Sequence, residues 1–437
     1  MPVIRQLFAA PRHQMRLPSR IPSLPTKLPT KFSLSLGRRS VENLVGLDIQ
    51  PGFVAAVEAR VNGSIRAERA AALPLPADSV RDGEVMDEDA LSETLRELFA
   101  DSGLSKRVRV GVANQRTVLR TLELPPVTDQ KELAAAVNFQ AQDQVPMPLN
   151  NAVMDFHPLG IVDTPAGPRQ RVVLVAAQRD MVERLLAAVR RAGLSAEGVD
   201  LSAFALIRSL YRPDPEQTGR VLYLNVDGLT NLAIAEGPVC RFTRVVGSGL
   251  EGMAGELAER RSIALADARA LLAAVDLSGP APSEAEHASP ARDEHLGSDE
   301  QPHSADGEPQ SAEEAEEAER EMSYEELADA EGDSAAQAPQ SDADLWAVLE
   351  NGIREISGEV RNSLDFHRSQ EGGGEVSHVV MSGSAQDIPG FAEALGRSLG
   401  VEVRSGQIAL AEGGFAASVS PHRLAIATGL AAAEAPR

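Results

Sequence analysis

The chain has 437 residues, a net charge of −22, three tyrosines, one tryptophan (Trp346) and one cysteine (Cys240). That length allows two or more domains with their own cores, and a lone cysteine excludes an internal disulfide and fits a reducing cytoplasm. No stretch offers the roughly 18 uninterrupted apolar residues of a membrane span, Met1–Ala10 lacks the apolar region of a secretory signal, and no basic stripe suited to nucleic acid falls on a foldable segment. A soluble, cytoplasmic protein is the expectation.

Residues 1–43 read as a basic disordered tail: within 1–40 there are eight Lys and Arg, six prolines and no acid. It is either an arm drawn to anionic lipid, with Val3, Ile4, Leu7 and Phe8 as a weak apolar toe, or a solvated tail. Order begins at Leu44–Ala59, which predicts a strand, a tight turn at Gln50-Pro51-Gly52 and a second strand. Asp48 lies near the end of the first strand, where a carboxylate either meets a magnesium-bound phosphate or bonds to its own turn. Ser64–Leu75 continues as a third strand. Asp87–Ala100 is helical, with acids at its start and Leu91, Leu95 and Leu98 at helical spacing.

Val108–Ala113 and Thr117–Leu124 predict strands around a short turn, closed by Pro125-Pro126. Asp129–Gln144 is a helix that Pro146 and Pro148 end. Arg171–Ala177 is a strand, Asp180–Arg191 and Leu201–Leu210 are helices, and Pro213 and Pro215 mark a boundary. The second half repeats the opening: strands Arg220–Asn225, Asn231–Glu236 and Cys240–Val246, with turns at Asp227-Gly228 and Gly237-Pro238, then helices Leu250–Arg261 and Ala266–Val275.

Residues 276–341 turn to Ser, Pro, Ala, Glu and Asp. The stretch 281–340 holds 19 Asp and Glu against Arg292 and Arg320, and so carries most of the negative charge. Such a composition cannot offset its ordering entropy by burial, so it reads as a disordered acidic insert whose His287, His295 and His303 are solvated. Helix Asp344–Ser369, strand Val376–Met381, helix Pro389–Leu399, strand Val401–Arg404 and helix His422–Ala432 complete an alternating α/β pattern.

Few motifs carry chemistry. Gly247-Ser-Gly249-Leu-Glu-Gly252 fits the dinucleotide fingerprint, but its strand is the third of a meander and no parallel strand follows within about 30 residues. There is no nucleophile elbow, no Walker loop and no His or Cys cluster at ligand spacing, so no catalytic residue and no metal site are assigned.

Three turns remain: Asp48 with its loop, Asn225–Asn231 and Ser382–Ala385. One phosphate-type turn per half and a later glycine loop are how an actin-type ATPase would grip a nucleotide. With them stand Val45-Gly-Leu-Asp-Ile49, Asp82-Gly-Glu-Val85, Val137-Asn-Phe-Gln-Ala-Gln-Asp-Gln-Val-Pro-Met-Pro-Leu149, Val172-Val-Leu-Val-Ala-Ala177, Arg361-Asn-Ser-Leu-Asp-Phe-His-Arg-Ser369 and Val379-Val-Met-Ser-Gly383. In these the chain resembles the PilM family of actin-like type IV pilus assembly proteins and, more distantly, FtsA. The resemblance implies two actin-like, ribonuclease H-like domains. The first covers 44–217, with an inserted subdomain at about 76–160, and the second covers 218–275 and 342–437.

The resemblance also implies a nucleotide site at Asp48, Gly52, Asp227, Gly228, Gly247 and Gly383, but departures from the pattern erode it. Gln50, Pro51 and Gly52 follow Asp48, and Ala55 stands where relatives place a lysine. Asn225-Val-Asp227 replaces Asp-x-Gly, and Gly383 alone remains of the adenosine loop's glycines, while the purine-bracketing Glu and Lys are replaced within Asp267–Leu272. Losing a cation and a carboxylate removes charge-assisted bonds of roughly 1.5–3 kcal/mol each, a loss of about 10²–10⁴ in affinity. The expectation is a non-enzymatic adaptor with no cofactor. Magnesium ATP at an active ATPase site, or a filament-forming protein, are the alternatives. The family partner is the cytoplasmic tail of a PilN-type membrane protein, in a groove walled by Val118, Leu122, Leu124, Phe139, Val145, Pro146 and Phe156, which would place the chain peripherally at the inner face of the cell membrane. A homo-oligomer is a further alternative.

Overall fold

The computed structural model describes residues 44–62, 64–213, 219–279, 342–370, 372–411 and 419–432. The tail and the acidic block, as far as residues 1–43 and 280–341, lie outside the described residues. Strands β1 (Val45–Gln50), β2 (Phe53–Asn62) and β3 (Ser64–Pro74) form an antiparallel meander, with Asp48 opposite Ala55. A small hairpin of β4 (Val80–Arg81) and β5 (Glu84–Val85) leads to α1 (Glu88–Ala100), whose N-terminus Asp87 caps by accepting from the amides of Asp89 and Ala90. β6 (Arg107–Val112) then runs parallel to β1.

A separate three-stranded sheet follows, made of β7 (Val118–Leu124), β8 (Ala152–Thr164) and β9 (Gly167–Gln178), with α2 (Gln130–Gln144) packed on it. The chain returns through α3 (Arg179–Arg191), β10 (Ser195–Leu201) and α4 (Ser202–Leu210). The second sheet starts with β11 (Arg220–Val226), β12 (Thr230–Glu236) and β13 (Val239–Val246), covered by α5 (Leu250–Arg261) and α6 (Leu265–Ala273). It continues with α7 (Asp342–Ser369), β14 (Val376–Ser382), α8 (Phe391–Leu399) and β15 (Val403–Ser405). Last come β16 (Ala409–Leu410) and α9 (Ala425–Ala431).

The strand orders are β10-β6-β1-β2-β3-β16 and β13-β12-β11-β14-β15. Each is a meander whose first strand also takes a parallel neighbour, so the two halves share one plan, as the repeated opening implied. Leu47, Leu91, Leu95 and Val110 centre the first core, and Leu224, Leu257, Leu349 and Phe391 the second. Between the sheets lie α4 and α9, whose Leu206 and Leu430 pack with Val57 of the first sheet and Tyr223 of the second.

Three boundaries differ from the sequence reading. The inserted subdomain is the 118–178 sheet with α2, not about 76–160, because β6 pairs with β1 and β10 instead of forming a hairpin with β7. Residues 80–112 therefore belong to the first core, through Val80, Val85, Leu98 and Val108. The end of the chain also leaves the second domain: β16 pairs with β3, and Arg109 donates to the carbonyls of Leu430 (3.1 Å) and Ala432 (2.8 Å). Strands β8 and β10 escaped the sequence reading because Pro158 and Gly160 interrupt one by a bulge and acids punctuate the other. In β10 the fully buried Asp200 is matched by an Arg208 ion pair from α4.

Candidate functional site

The two equivalent turns, Pro51–Gly52 after β1 and Asp227–Gly228 after β11, meet face to face. Pro51 fixes one turn through its ring, and Gly52 takes a φ of +88° that a side chain would resist. At Gly228 even one methyl carbon would stand 2.1 Å from the Pro51 carbonyl oxygen, so the two backbones touch there.

Asp48 is 1% exposed, and Gln50 Nε2 lies 3.3 Å from each of its carboxylate oxygens. Burial foremost, then the charge of Asp227, pushes its pKa up to about 8. Asp227 is fully buried, and burial raises its pKa as well. Its Oδ1 accepts from the Ser384 amide (2.7 Å) and Ser384 Oγ (2.6 Å), and its Oδ2 from Asn225 Nδ2 (2.9 Å). Ser382 Oγ donates to Asn225 Oδ1 at 2.8 Å, and the Leu250 amide donates to the Asp227 carbonyl at 2.7 Å. Asp227 thus ties the second turn, the Gly383 loop and the start of α5 together. Gly383, at φ +95°, lies so close to the Val226 carbonyl that a Cβ would come within 2.3 Å.

Beside these turns opens a cleft of about 650 Å³, lined among others by Phe53, Leu73, Glu251, Arg269, Ser384 and Arg423. Of its charged groups, Arg269 and Glu251 pair with each other, while Arg423 Nε is buried without a hydrogen-bond partner among the described residues. Arg269 forks onto both Glu251 oxygens, with Nε 2.8 Å from Oε2, Arg423 sits 5.1 Å over the Phe53 ring, and Asp387 Oδ1 accepts from Ser420 Oγ at 2.7 Å.

A magnesium-bound triphosphate needs an ionised carboxylate for the metal, a cation for the phosphates and space between the turns. Here both Asp227 oxygens are occupied by Asn225 and Ser384, Ala55 is a fully buried methyl, and Pro51 fills the space before Gly228. These residues do not fit that group. Among the described residues no three His, Cys, Asp or Glu side chains gather in a way that would hold a metal. Gly247 follows β13, where an added Cβ would stand 2.9 Å from the Gln115 side chain of the first domain, and it is Gly249, two residues on, that lies against Gly228.

The groove residues separate by strand parity. Val118, Leu122, Leu124 and Val145 are buried in the subdomain core against α2, and Phe156 joins that face half-buried. Pro146 is exposed beyond the end of α2, and Phe139 is 72% exposed on it. The face of the same sheet turned toward the first domain carries Val173 and Val175, packed with Leu201 and flanked by the partly exposed Leu119, Leu159 and Phe204. A wall between subdomain and domain is therefore made by this second set, and the first set is committed to the core. His157, opposite Val173 in register, shares that face, and burial lowers its pKa. The run Val172–Ala177, apolar at both parities, held the signal that both faces of β9 are covered.

Two domains of one strand order, with paired turns and a cleft where the domains meet, define an actin-like fold. The particular likeness is to PilM: the family model described as type IV pilus assembly protein PilM matches residues 46–218, the first domain with its insert. The structure of a PilM–PilN type IV pilus biogenesis complex aligns over 89% of this chain and 97% of that one, at 21% identity and a TM-score of 0.63. The ethanolamine utilization protein EutJ from Carboxydothermus hydrogenoformans aligns over 89% of this chain and 88% of that one, at 15% identity and a TM-score of 0.43. MreB 5 of Spiroplasma citri bound to AMPPNP aligns over 89% and 95%, at 11% identity and a TM-score of 0.45. The resemblance drawn from the sequence and the actin-like fold it implied both stand.

Proposed function

We propose that the chain is an adaptor of the type IV pilus assembly platform that binds the cytoplasmic tail of a PilN-type membrane protein and does so without nucleotide. The observation that carries the binding half is the apolar wall of Leu119, Leu159 and Phe204 between the inserted sheet and the first domain, on a fold similar to that of a PilM–PilN complex. Strand β7 is an edge of its sheet, so an extended tail can add main-chain bonds there while its apolar side chains meet that wall. The nucleotide-free half is supported by Pro51 seated on Gly228 and by Asp227, whose two oxygens are taken by Asn225 and Ser384. No described helix is long and apolar enough to cross a membrane, and attachment at the inner face of the cell membrane follows from the partner. The test is calorimetry with a synthetic tail peptide on purified protein: a Phe204→Ala exchange weakens binding at least tenfold, whereas Phe139→Ala leaves it within about twofold. Equal losses from both exchanges would move the groove to the α2 face.

A further inference from the structure

We propose that the two domains are latched shut by their own residues, with Pro51 seated on Gly228 and the Glu251–Arg269 pair resting on the Gly52 turn, where a bound triphosphate would otherwise bridge them. This rests on the reading of the cleft given above and adds a cause of closure to it. Glu251 is the second residue of α5, a place where helix amides favour an anion, and Arg269 of α6 supplies the cation. The two side chains are 21% and 25% exposed, so solvent screens the pair only in part. A Cβ on Gly52 would stand 2.4 Å from Glu251 Oε2 and 3.4 Å from an Arg269 nitrogen. Carboxylate, helix N-terminus and guanidinium thus press on the first-domain turn from the second domain, an anion and a cation both supplied by the protein. Pro51 stiffens that turn, and Gly228 admits it because it has no side chain. Arg269 acts here as a positioning residue that keeps Glu251 over Gly52.

Gly228→Ala probes the latch without touching the charges, because the added methyl meets a backbone oxygen that can yield only if the domains part. Gly255→Ala, in α5 with nothing within 4 Å of the added carbon, is the control. Hydrogen exchange and small-angle scattering on the full chain read the result. The latch requires Gly228→Ala to raise the radius of gyration and to speed exchange at 48–54 and 226–231 about tenfold, with Gly255→Ala unchanged. Arg269→Ala shifts the same segments in the same direction by a smaller factor, and it carries the test should Gly228→Ala fail to fold. Parent-like exchange and scattering in the variants that fold would overturn the latch. A thermal shift with magnesium ATP on the parent is scored separately: a stabilised parent would refute the nucleotide-free reading even where Gly228→Ala opens the domains.

Discussion

Replacing Asp48 by Asn tests the site at its most perturbed group. An acid whose folded-state pKa is raised contributes its full stability below the unfolded value and loses it as pH rises to the folded value. For Asp48 that window runs from the model-peptide value of 3.8 to about 8. Within it this one group costs about 1.4 kcal/mol per pH unit, which accumulates to on the order of 4 kcal/mol at pH 7. Asn keeps an oxygen that accepts from Gln50 Nε2 and has no proton to gain, so the substitution removes the dependence. Packing adjustments add a constant, so the slope is the quantity to read. Urea unfolding midpoints of parent and Asp48→Asn, taken at half-unit steps from pH 5 to 9, are expected to diverge steadily up to about pH 8 and to run parallel above it. Curves parallel throughout would mean that Asp48 is ionised in the folded protein, and the reasoning from its burial beside Asp227 would be refuted.

Ser384→Ala removes one of the bonds that hold buried Asp227 and is expected to cost about 1.5–3 kcal/mol in chemical denaturation. Arg208→Ala leaves the buried Asp200 with Arg109 as its remaining cationic neighbour, so a loss of up to about 3–5 kcal/mol is expected, largely recovered when Asp200→Asn is added. His157 is held below its usual pKa by burial, so its contribution is present above the unfolded value of 6.5 and lost as pH falls through the folded one. A His157→Gln variant should therefore lose less stability than the parent on acidification from pH 7 to 5, and equal losses would place His157 in solvent.

Most of the architecture was legible because its signals are local. The meander at Val45–Pro74 and its counterpart at Arg220–Val246 show alternation and turn residues that no distant contact has to supply. What escaped depends on pairing across the chain. Nothing near Val108 or Val118 tells that the first joins β1 and the second a different sheet, and nothing near Ala409 tells that it pairs with β3. The groove residues divide by face: Val118, Leu122 and Leu124 share one parity, and register with β9 decides which parity meets α2. Of the nucleotide residues, Asp48, Gly52, Asp227, Gly228 and Gly383 do gather at the paired turns, since each half folds to the same plan. Their engagement with Gln50, Asn225 and Ser384 emerges only in three dimensions.

The central claim is that tail binding and closure proceed without a triphosphate. Calorimetric titration of the full chain with the PilN-type tail peptide, run side by side with and without millimolar magnesium ATP, tests it most directly. The account predicts saturable binding whose affinity agrees within about twofold between the two runs. Binding seen only with magnesium ATP, or an affinity changed tenfold by it, would contradict the account.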